Sequence, residues 1–323
     1  MANLYIMVGI PGSGKSTVAK RYAADPDTKS IIISSDKIRQ ELYGDKNCQS
    51  HNGKVFELAY KRIKENLKNG LDVIFDATNV TIKERKQAIR AGKEAGVHYI
   101  IAIVVTPPRE ICISRDKERN RTVGAEVIDK FIHRFEIPIK QEGFNIIHFY
   151  HTSTHEKHEE NVADIEKQIQ HADDGIFEQT GKYHTENLVS HSLMAMTDPD
   201  TLLLTDDPVL CKHMAFLHDY GKLFTRTRND TGYHFYNHGN VGAYNFISNV
   251  PMSDSNYKIA MLMNYHDYTF LYPEKKLDQV FKDYADTLRR FRKIDERSTI
   301  PNPVYTKPTS SLNQLESDDI EKA

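Results

Sequence analysis

The sequence lacks the features of secreted and membrane-spanning proteins. It has no Trp and only three Cys in 323 residues, and the positions of Cys48, Cys112 and Cys211 form neither a CxxC pair nor a disulfide framework. The longest strongly apolar run, residues 99–105, is far shorter than the roughly 20 residues that a bilayer helix needs. No basic segment with a cleavage site precedes the first apolar run, so we expect a cytoplasmic protein with no membrane partner.

The composition is that of a globular protein with two domains. Hydrophobic residues make up 39% and charged residues 27% of the chain, and a prior of about 150 residues per domain predicts two domains with separate cores. Residues 1–152 carry 25 Lys and Arg against 18 Asp and Glu, whereas residues 153–323 carry 18 against 27. The basic half suits an anionic substrate. The acidic half, which holds ten of the 15 His, suits metal binding.

The hydrophobic pattern changes near the middle of the chain. Apolar, β-branched runs alternate with helical periodicity through residue 152, which predicts an α/β domain with a parallel sheet over residues 1–152. A polar segment rich in His and Glu predicts a linker over residues 153–174. Helical patterns then predict an all-α domain over residues 175–299. Residues 300–323 contain Pro, Ser and Asn without periodicity, which predicts a mobile tail.

A phosphate-binding loop follows the first apolar run. Residues 9–16, GIPGSGKS, match GxxxxGK[ST] between a predicted strand and a predicted helix, which is the context that the motif requires. Its glycines let backbone N–H groups turn toward a phosphate, and the helix N-terminus adds its dipole. Lys15 would bridge the phosphates of ATP, and the Ser16 hydroxyl would hold Mg²⁺. The residues predicted to bind ATP and Mg²⁺ are Gly9, Gly12, Ser13, Gly14, Lys15, Ser16 and Thr17.

Polar residues end the next two predicted strands, where a phosphate acceptor could bind. Asp36 lies at a carboxyl end of the parallel sheet, the edge that faces ligands. It could accept a proton from an attacking hydroxyl, or it could cap the following helix. Arg39, three residues later, could bind a phosphate of the acceptor. Asp76, which ends the third strand, could hold the P-loop or Mg²⁺ water, or form an Asx turn.

Three arginines follow the fourth predicted strand. Arg115 and Arg119 are four residues apart on one helix face, and Arg121 lies close by. Such a lid could close on the ATP phosphates and stabilise the transferred charge, or it could be a solvated charged face.

Together these motifs resemble the polynucleotide 5′-kinase family of P-loop phosphotransferases over about residues 1–150. The resemblance implies that Asp36 is the general base toward a 5′-hydroxyl and that Arg39 contacts the acceptor's phosphate. It also implies that a lid arginine contacts the donor, which is Arg119 or its competitor Arg121. The predicted catalytic residues here are Lys15, Asp36, Arg39 and Arg119, with Arg115 and Arg121 as further ATP contacts.

The His-rich half contains a second group of candidate functional residues, which could bind a metal. His218 and Asp219 follow an apolar run, His191 lies upstream, and three further candidates lie downstream: His238, His266 and Asp295. Neutral imidazoles and carboxylates together suit divalent metals. Adjacent helical residues point about 100° apart, so His218 and Asp219 can share a metal only if other helices supply the remaining ligands.

This order of residues on an all-α domain is similar to the HD phosphohydrolase superfamily over about residues 180–298. The likeness is carried by the strings HTENLVSHSLMAM, AFLHDYGKLFTR, YHFYNHGNVGA and FRKIDERS. It implies that one or two divalent metals (Mn²⁺, Ni²⁺, Co²⁺ or Mg²⁺) activate water against a phosphoester, while Lys222 steadies a substrate phosphate. The implied ligands are His191, His218, Asp219 and Asp295, with His238 and His266 completing a second metal site. His184 is an alternative to His191, and His266-Asp267 is a second HD dipeptide.

A kinase and a phosphohydrolase in one chain suggest the repair of broken RNA. Many ribonucleases leave a 5′-hydroxyl and a 2′,3′-cyclic phosphate, which a ligase cannot join. The pair resembles end-healing enzymes that unite a 5′-kinase with an HD-type 2′,3′-phosphatase, although in that fused family the HD module comes first. The resemblance implies RNA or DNA ends as substrates and a nucleic-acid ligase as a partner, and it leaves the oligomeric state open.

Two other interpretations remain open. One is a nucleoside or nucleotide kinase joined to a nucleotide phosphohydrolase. The other is a kinase joined to an inert HD-like module that only binds RNA. The sequence shows no basic and aromatic stripe that would define a path for RNA.

Overall fold

A five-stranded parallel sheet forms the centre of the first part of the chain. The structure is a computed structural model that describes residues 2–26, 28–46, 48, 50–118, 122–150, 160–181 and 184–300. The strands are β1 (Leu4–Val8), β2 (Ser30–Ser34), β3 (Asp72–Asp76), β4 (Ile100–Val104) and β5 (Ile146–Phe149). Their order is β2-β3-β1-β4-β5, and every neighbouring pair is parallel. The predicted α/β fold is confirmed, and each strand coincides with one of the apolar runs of the sequence.

Six helices connect these strands. They are α1 (Lys15–Ala23), α2 (Ser35–Tyr43), α3 (Asn52–Lys68), α4 (Ile82–Ala95), α5 (Arg109–Lys117) and α6 (Ala125–Ile132). The sequence sets their ends locally: a capping box of Thr81 and Glu84 starts α4, and Gly96 ends it in the left-handed conformation. Because the strands are parallel, the loops after β1, β2 and β3 lie at one edge of the sheet, where the P-loop, Asp36 and Asp76 were predicted to meet.

The second part of the chain is helical, as predicted. Its helices are α7 (Val162–His171), α8 (Leu188–Thr197), α9 (Pro208–Leu217), α10 (Lys222–Thr225), α11 (His238–Asn249), α12 (Asp254–Tyr265), α13 (Tyr268–Leu271), α14 (Glu274–Phe281) and α15 (Tyr284–Ser298). A hairpin of β6 (Arg226–Asn229) and β7 (Gly232–Phe235) was not predicted, because β6 contains no apolar residue and so shows no alternation of apolar and polar positions. Within the described ranges, no helix has the length and apolar character to cross a membrane.

The predicted linker is partly folded into the helical region. Asn161 caps α7, which buries Ile165 and Ile169 and contacts α9. Residues 153–159 lie outside the described residues, as do residues 301–323 of the predicted tail. At the start of that tail, the amide of Ile300 donates a hydrogen bond to Glu186 at 3.0 Å.

The larger of two hydrophobic clusters spans both parts of the chain, which differs from the expectation of separate cores, and the smaller cluster lies within the first part. A single cluster of buried apolar side chains extends from β1 to α15. The physical reason is the irregular segment Phe135–Ile139, which is buried against α12 and bonds to side chains of that helix. The Asn264 side chain accepts a hydrogen bond from the Ile137 amide at 2.7 Å and donates one to the Phe135 carbonyl at 3.1 Å. Tyr265 donates to the Ile137 carbonyl.

Replacing Asn264 tests this connection. We expect Asn264→Ala to lower the free energy of unfolding by about 2 kcal/mol, because the buried N–H of Ile137 would lose its acceptor. Urea denaturation would measure the change. The control is Asn256→Ala on the same helix, whose amide donates to Pro251 in a more exposed position, and whose loss should cost less than about 1 kcal/mol. Equal losses in the two variants would contradict the assigned role of Asn264.

Candidate active sites

The loop between β1 and α1 has the geometry of a phosphate cradle. Gly12 and Gly14 have φ angles of 80° and 92°, which side chains disfavour. A Cβ at Gly12 would also clash with the carbonyl oxygen of Cys112. The buried Ser13 hydroxyl has no hydrogen-bond partner among the described residues. An orphaned hydroxyl beside an uncapped helix N-terminus fits the binding of an anionic ligand such as the phosphates of ATP.

The segment after β3 holds the start of this loop. The Gly9 amide donates to the Thr78 carbonyl at 2.9 Å, and the Asn79 side chain donates to the Met7 carbonyl at 2.8 Å. Asn79 itself adopts a φ of 48°. Asp76 is buried at the end of β3. The contacts of Thr78 and Asn79 support the P-loop, whereas the role of Asp76 stays a prediction.

Asp36 and Arg39 form an ion pair on the first turns of α2. Their closest atoms are 2.8 Å apart, and the Asp36 side chain is 58% exposed whereas that of Arg39 is 7% exposed. Asn52, at the start of α3, accepts hydrogen bonds from two nitrogens of Arg39 at 3.3 and 2.9 Å. The guanidinium is therefore fixed, and the Asp36 carboxylate stays accessible. Asn52 was missed by the sequence analysis, since no motif marks it.

Arg115 on α5 lies against the P-loop. Its guanidinium donates a hydrogen bond to the Ser13 carbonyl at 3.0 Å. A Cβ at Gly14 would be 3.2 Å from the same guanidinium nitrogen. The other two predicted lid residues, Arg119 and Arg121, lie outside the described residues.

In the helical region, four histidines converge on one carboxylate. We call His191 and His218 the first pair, and His238 and His266 the second pair. The two Nε2 atoms are 3.1 Å apart in the first pair and 3.0 Å apart in the second. Asp219 lies between the pairs. Its Oδ2 is 3.3 and 3.2 Å from the Nε2 atoms of the first pair, and its Oδ1 is 2.9 and 3.7 Å from those of the second.

Asp295 on α15 completes this cluster. Its Oδ1 lies 3.0 Å from Nε2 of His191 and 3.3 Å from Nε2 of His218. The structure therefore brings together all six predicted ligands of the helical region, which come from α8, α15 and the ends of α9, α11 and α12.

Backbone carbonyls orient all four imidazole rings. Each Nδ1 donates to a carbonyl oxygen, at 3.0 Å for Ser298, 2.7 Å for Ala215, 3.0 Å for Phe235 and 2.9 Å for Met263. A neutral imidazole protonated at Nδ1 presents a lone pair at Nε2. Two such lone pairs 3.0–3.1 Å apart repel each other unless a proton or a metal ion lies between them. The donor set and its hydrogen bonds therefore fit divalent metals.

His184 belongs to a neighbouring contact rather than to the first pair. Its Nδ1 is 2.6 Å from Oε1 of Glu186, and the same oxygen lies 3.5 Å from Nδ1 of His191. Of the two alternatives from the sequence, the geometry groups His191 with His218.

Lys222 is buried beside the carboxylate of Asp219. Its ammonium lies 2.6 Å from Oδ2 of Asp219 and donates to the side chain of Gln179 at 2.8 Å. This arrangement orients Asp219. The role of Lys222 toward a substrate phosphate stays a prediction, and Gln179 was not found by sequence reasoning.

The cluster retains protons when no metal is bound. Burial disfavours a charged His218, but the carboxylates of Asp219 and Asp295 outweigh this effect and raise its pKa to about 9. Burial also disfavours charge on Asp219, yet His218 and Lys222 hold the pKa of this carboxyl well below its usual range. A metal must therefore displace a proton from the first pair.

This proton competition predicts a pH dependence. Since the raised pKa of His218 is about 9, its protonated form dominates at lower pH and competes with the metal. We expect the apparent affinity for Mn²⁺ to rise as the pH increases from about 7 to 9, with protons released on binding. Calorimetric titrations in buffers of different ionisation enthalpy would measure both effects. A pH-independent affinity without proton release would contradict the assignment.

Comparisons with known proteins agree on the first part of the chain. Residues 4–138 match the family described as "AAA domain". The chain is 30% identical over 138 residues to the L-seryl-tRNA(Sec) kinase of Methanococcus maripaludis, which covers 42% of this chain and 53% of that protein. The first domain is a P-loop kinase domain. The chain spans about half the length of this curated relative, and the family match ends before the helical region.

Solved structures also resemble this chain in part. A chain of the Pnkp1/Rnl/Hen1 RNA repair complex is 25% identical with a TM-score of 0.37, covering 41% of this chain and 43% of that chain. The APS kinase CysC of Mycobacterium tuberculosis is 17% identical with a TM-score of 0.36, covering 47% and 90%. A putative kinase from Chloroflexus aurantiacus is 15% identical with a TM-score of 0.38, covering 46% and 84%.

Proposed function

We propose that this protein heals nucleic-acid ends, most specifically RNA ends. The P-loop kinase domain would phosphorylate a 5′-hydroxyl with ATP, and the helical domain would hydrolyse a 2′,3′-cyclic phosphate or 3′-phosphate. The observation that carries the proposal is the convergence of two histidine pairs on Asp219 in the same chain as a P-loop kinase domain. Two hydrolyses, ring opening to a phosphomonoester and then release of inorganic phosphate, would leave a 3′-hydroxyl. A nucleic-acid ligase joins such an end to a 5′-phosphate, so a ligase would act next.

In the kinase domain, residues described by the structure would bind ATP and the acceptor and would accept the proton. Lys15 and the N-terminus of α1 would bind the ATP phosphates, and the Ser16 hydroxyl would hold Mg²⁺. The accessible Asp36 carboxylate would accept the proton of the attacking hydroxyl. Arg39, fixed by Asn52, would bind the acceptor's phosphate. The relative named for its action on L-seryl-tRNA(Sec) supports an acceptor that contains RNA.

In the helical domain, the chain's own residues would position a phosphoester. The first pair, Asp219 and Asp295 would hold one divalent metal, and Asp219 with the second pair would hold another. Bound there, such metals polarise a phosphoester and lower the pKa of water. The carbonyl bonds to Nδ1 keep the rings in place, and Lys222 keeps the Asp219 carboxylate turned toward both pairs. A 2′,3′-cyclic phosphate forms only on RNA, because its formation needs the 2′-hydroxyl.

An Asp36 variant tests the kinase assignment. The substrate is a short RNA with a 5′-hydroxyl and a 2′,3′-cyclic phosphate, incubated with ATP, Mg²⁺ and Mn²⁺ and followed by mass spectrometry. We expect Asp36→Asn to slow 5′-phosphorylation by about 10²–10⁴-fold, the usual contribution of a general base, while cyclic phosphate hydrolysis continues. Asp45→Asn, which removes the same charge from an exposed residue after α2, is the control. Wild-type kinase rates in Asp36→Asn would show that another group is the base.

A His218 variant tests the second activity on the same RNA. We expect His218→Asn to abolish loss of the cyclic phosphate and to leave the 5′-kinase active, because different segments of the chain form the histidine cluster and the P-loop. The exposed His171, outside the cluster, gives the matched control His171→Asn. If the wild-type protein leaves RNA unchanged but converts free nucleotides, the end-healing proposal is wrong and a nucleotide substrate replaces it.

A further inference from the structure

The second pair faces a carboxylate outside the predicted ligand set. Asp267 directly follows His266, just before α13. Its Oδ2 lies 3.4 Å from Nε2 of His238, and its Oδ1 lies 3.4 Å from Nε2 of His266. The Asp267 carboxylate therefore reaches the same nitrogen atoms that face Asp219.

The Asp267 carboxylate does not cap the helix that follows it. Asp267 is the N-cap residue of α13, where an aspartate side chain commonly accepts a hydrogen bond from the helix backbone. Within the described part of the chain, its side chain forms no such cap, and its backbone carbonyl instead accepts from the Phe270 amide at 2.9 Å. The carboxylate turns toward the two imidazoles instead.

With Asp267 included, the cluster has two similar halves around Asp219. One half contains the first pair, Oδ2 of Asp219 and the carboxylate of Asp295, which lies 3.0 and 3.3 Å from the imidazoles. The other half contains the second pair, Oδ1 of Asp219 and the carboxylate of Asp267, which lies 3.4 Å from each imidazole. Each half thus offers two imidazole nitrogens and two carboxylate groups.

These separations match those between neighbouring ligands of one metal ion. With metal–ligand bonds of about 2.0–2.1 Å, adjacent ligands in octahedral or tetrahedral geometry lie about 2.8–3.4 Å apart. We propose that Asp267 is a ligand of the second divalent metal, in the position that Asp295 occupies for the first. This inference rests on the proposed metal-dependent function of the helical domain.

The two halves differ in their access to solvent. The side chain of Asp267 is 38% exposed, whereas that of Asp295 is 17% exposed. The second half of the cluster is therefore the more accessible one, and loss of Asp267 should weaken the second metal without affecting the first.

Metal titration of the full-length protein tests this assignment. The protein is stripped with a chelator, titrated with Mn²⁺ by calorimetry, and examined by electron paramagnetic resonance for the spectrum of two coupled ions. The wild type should bind two Mn²⁺ ions. Asp267→Asn should bind the first ion unchanged and the second at least about tenfold more weakly, because loss of a supporting contact alone can cost that much. At two equivalents of Mn²⁺ its coupled spectrum should weaken accordingly.

Two matched variants distinguish loss of the Asp267 carboxylate from a general effect of removing negative charge. Asp254→Asn removes an exposed carboxylate at the start of α12 and should leave both ions bound as in the wild type. Asp267→Glu keeps a carboxylate and should restore most of the affinity for the second ion. Circular dichroism would confirm that each variant folds.

Three outcomes would overturn the proposal. If Asp267→Asn binds two ions with wild-type affinity and coupling, Asp267 is not a ligand, although the two-metal function would stand. If Asp267→Asn and Asp267→Glu lose the second ion equally, the carboxylate of residue 267 does not bind that ion. If the wild type binds no Mn²⁺, both this proposal and the proposed phosphohydrolase function fail.

Discussion

Two imidazole lone pairs cannot face each other at about 3 Å without a cation between them. The helical domain contains two such pairs, and one carboxylate, that of Asp219, lies between them. Five separate segments between α8 and α15 contribute residues to this arrangement. The cluster therefore forms only when these segments pack together. The carbonyl bonds at each Nδ1 fix the ring orientations, and the pairs then require positive charge at their centre.

The kinase domain helps to position the second pair. Asn264 and Tyr265, which bind the Phe135–Ile139 segment, immediately precede His266. Tyr268, two residues later, donates a hydrogen bond to Glu136. The segment is fixed in turn by the fully buried Arg85, which donates to the Glu136 carbonyl at 2.9 Å and pairs with Glu142. These contacts therefore join the two parts of the chain beside the second pair.

Local patterns in the sequence predict a large part of this structure. The P-loop is identifiable because its glycines and its position between strand and helix are a local requirement of phosphate binding. The alternation of apolar runs and helical periodicity likewise predicts the α/β domain. In the second domain, the order of His and Asp residues resembles a known family closely enough to choose six residues that the structure brings together.

Other features depend on contacts between distant segments. Asn52 lies 13 residues from Arg39 and belongs to no motif, so only the fold reveals that it fixes the guanidinium. The shared core arises because the backbone of Phe135–Ile139 is satisfied by side chains of α12. Asp267 is ambiguous in the sequence, since an aspartate after a histidine before a short helix is equally typical of a cap. Its contacts with His238 and His266 distinguish the two roles.

The most direct test of the account is a crystal structure of the protein grown with Mn²⁺, with anomalous diffraction recorded near the manganese absorption edge. We expect two anomalous peaks about 3.5–4 Å apart, the usual separation in two-metal sites. One peak should lie beside Oδ2 of Asp219 and the first pair, and the other beside Oδ1 and the second pair. An absence of anomalous density between the imidazoles, or metal bound only elsewhere on the protein, would contradict the account.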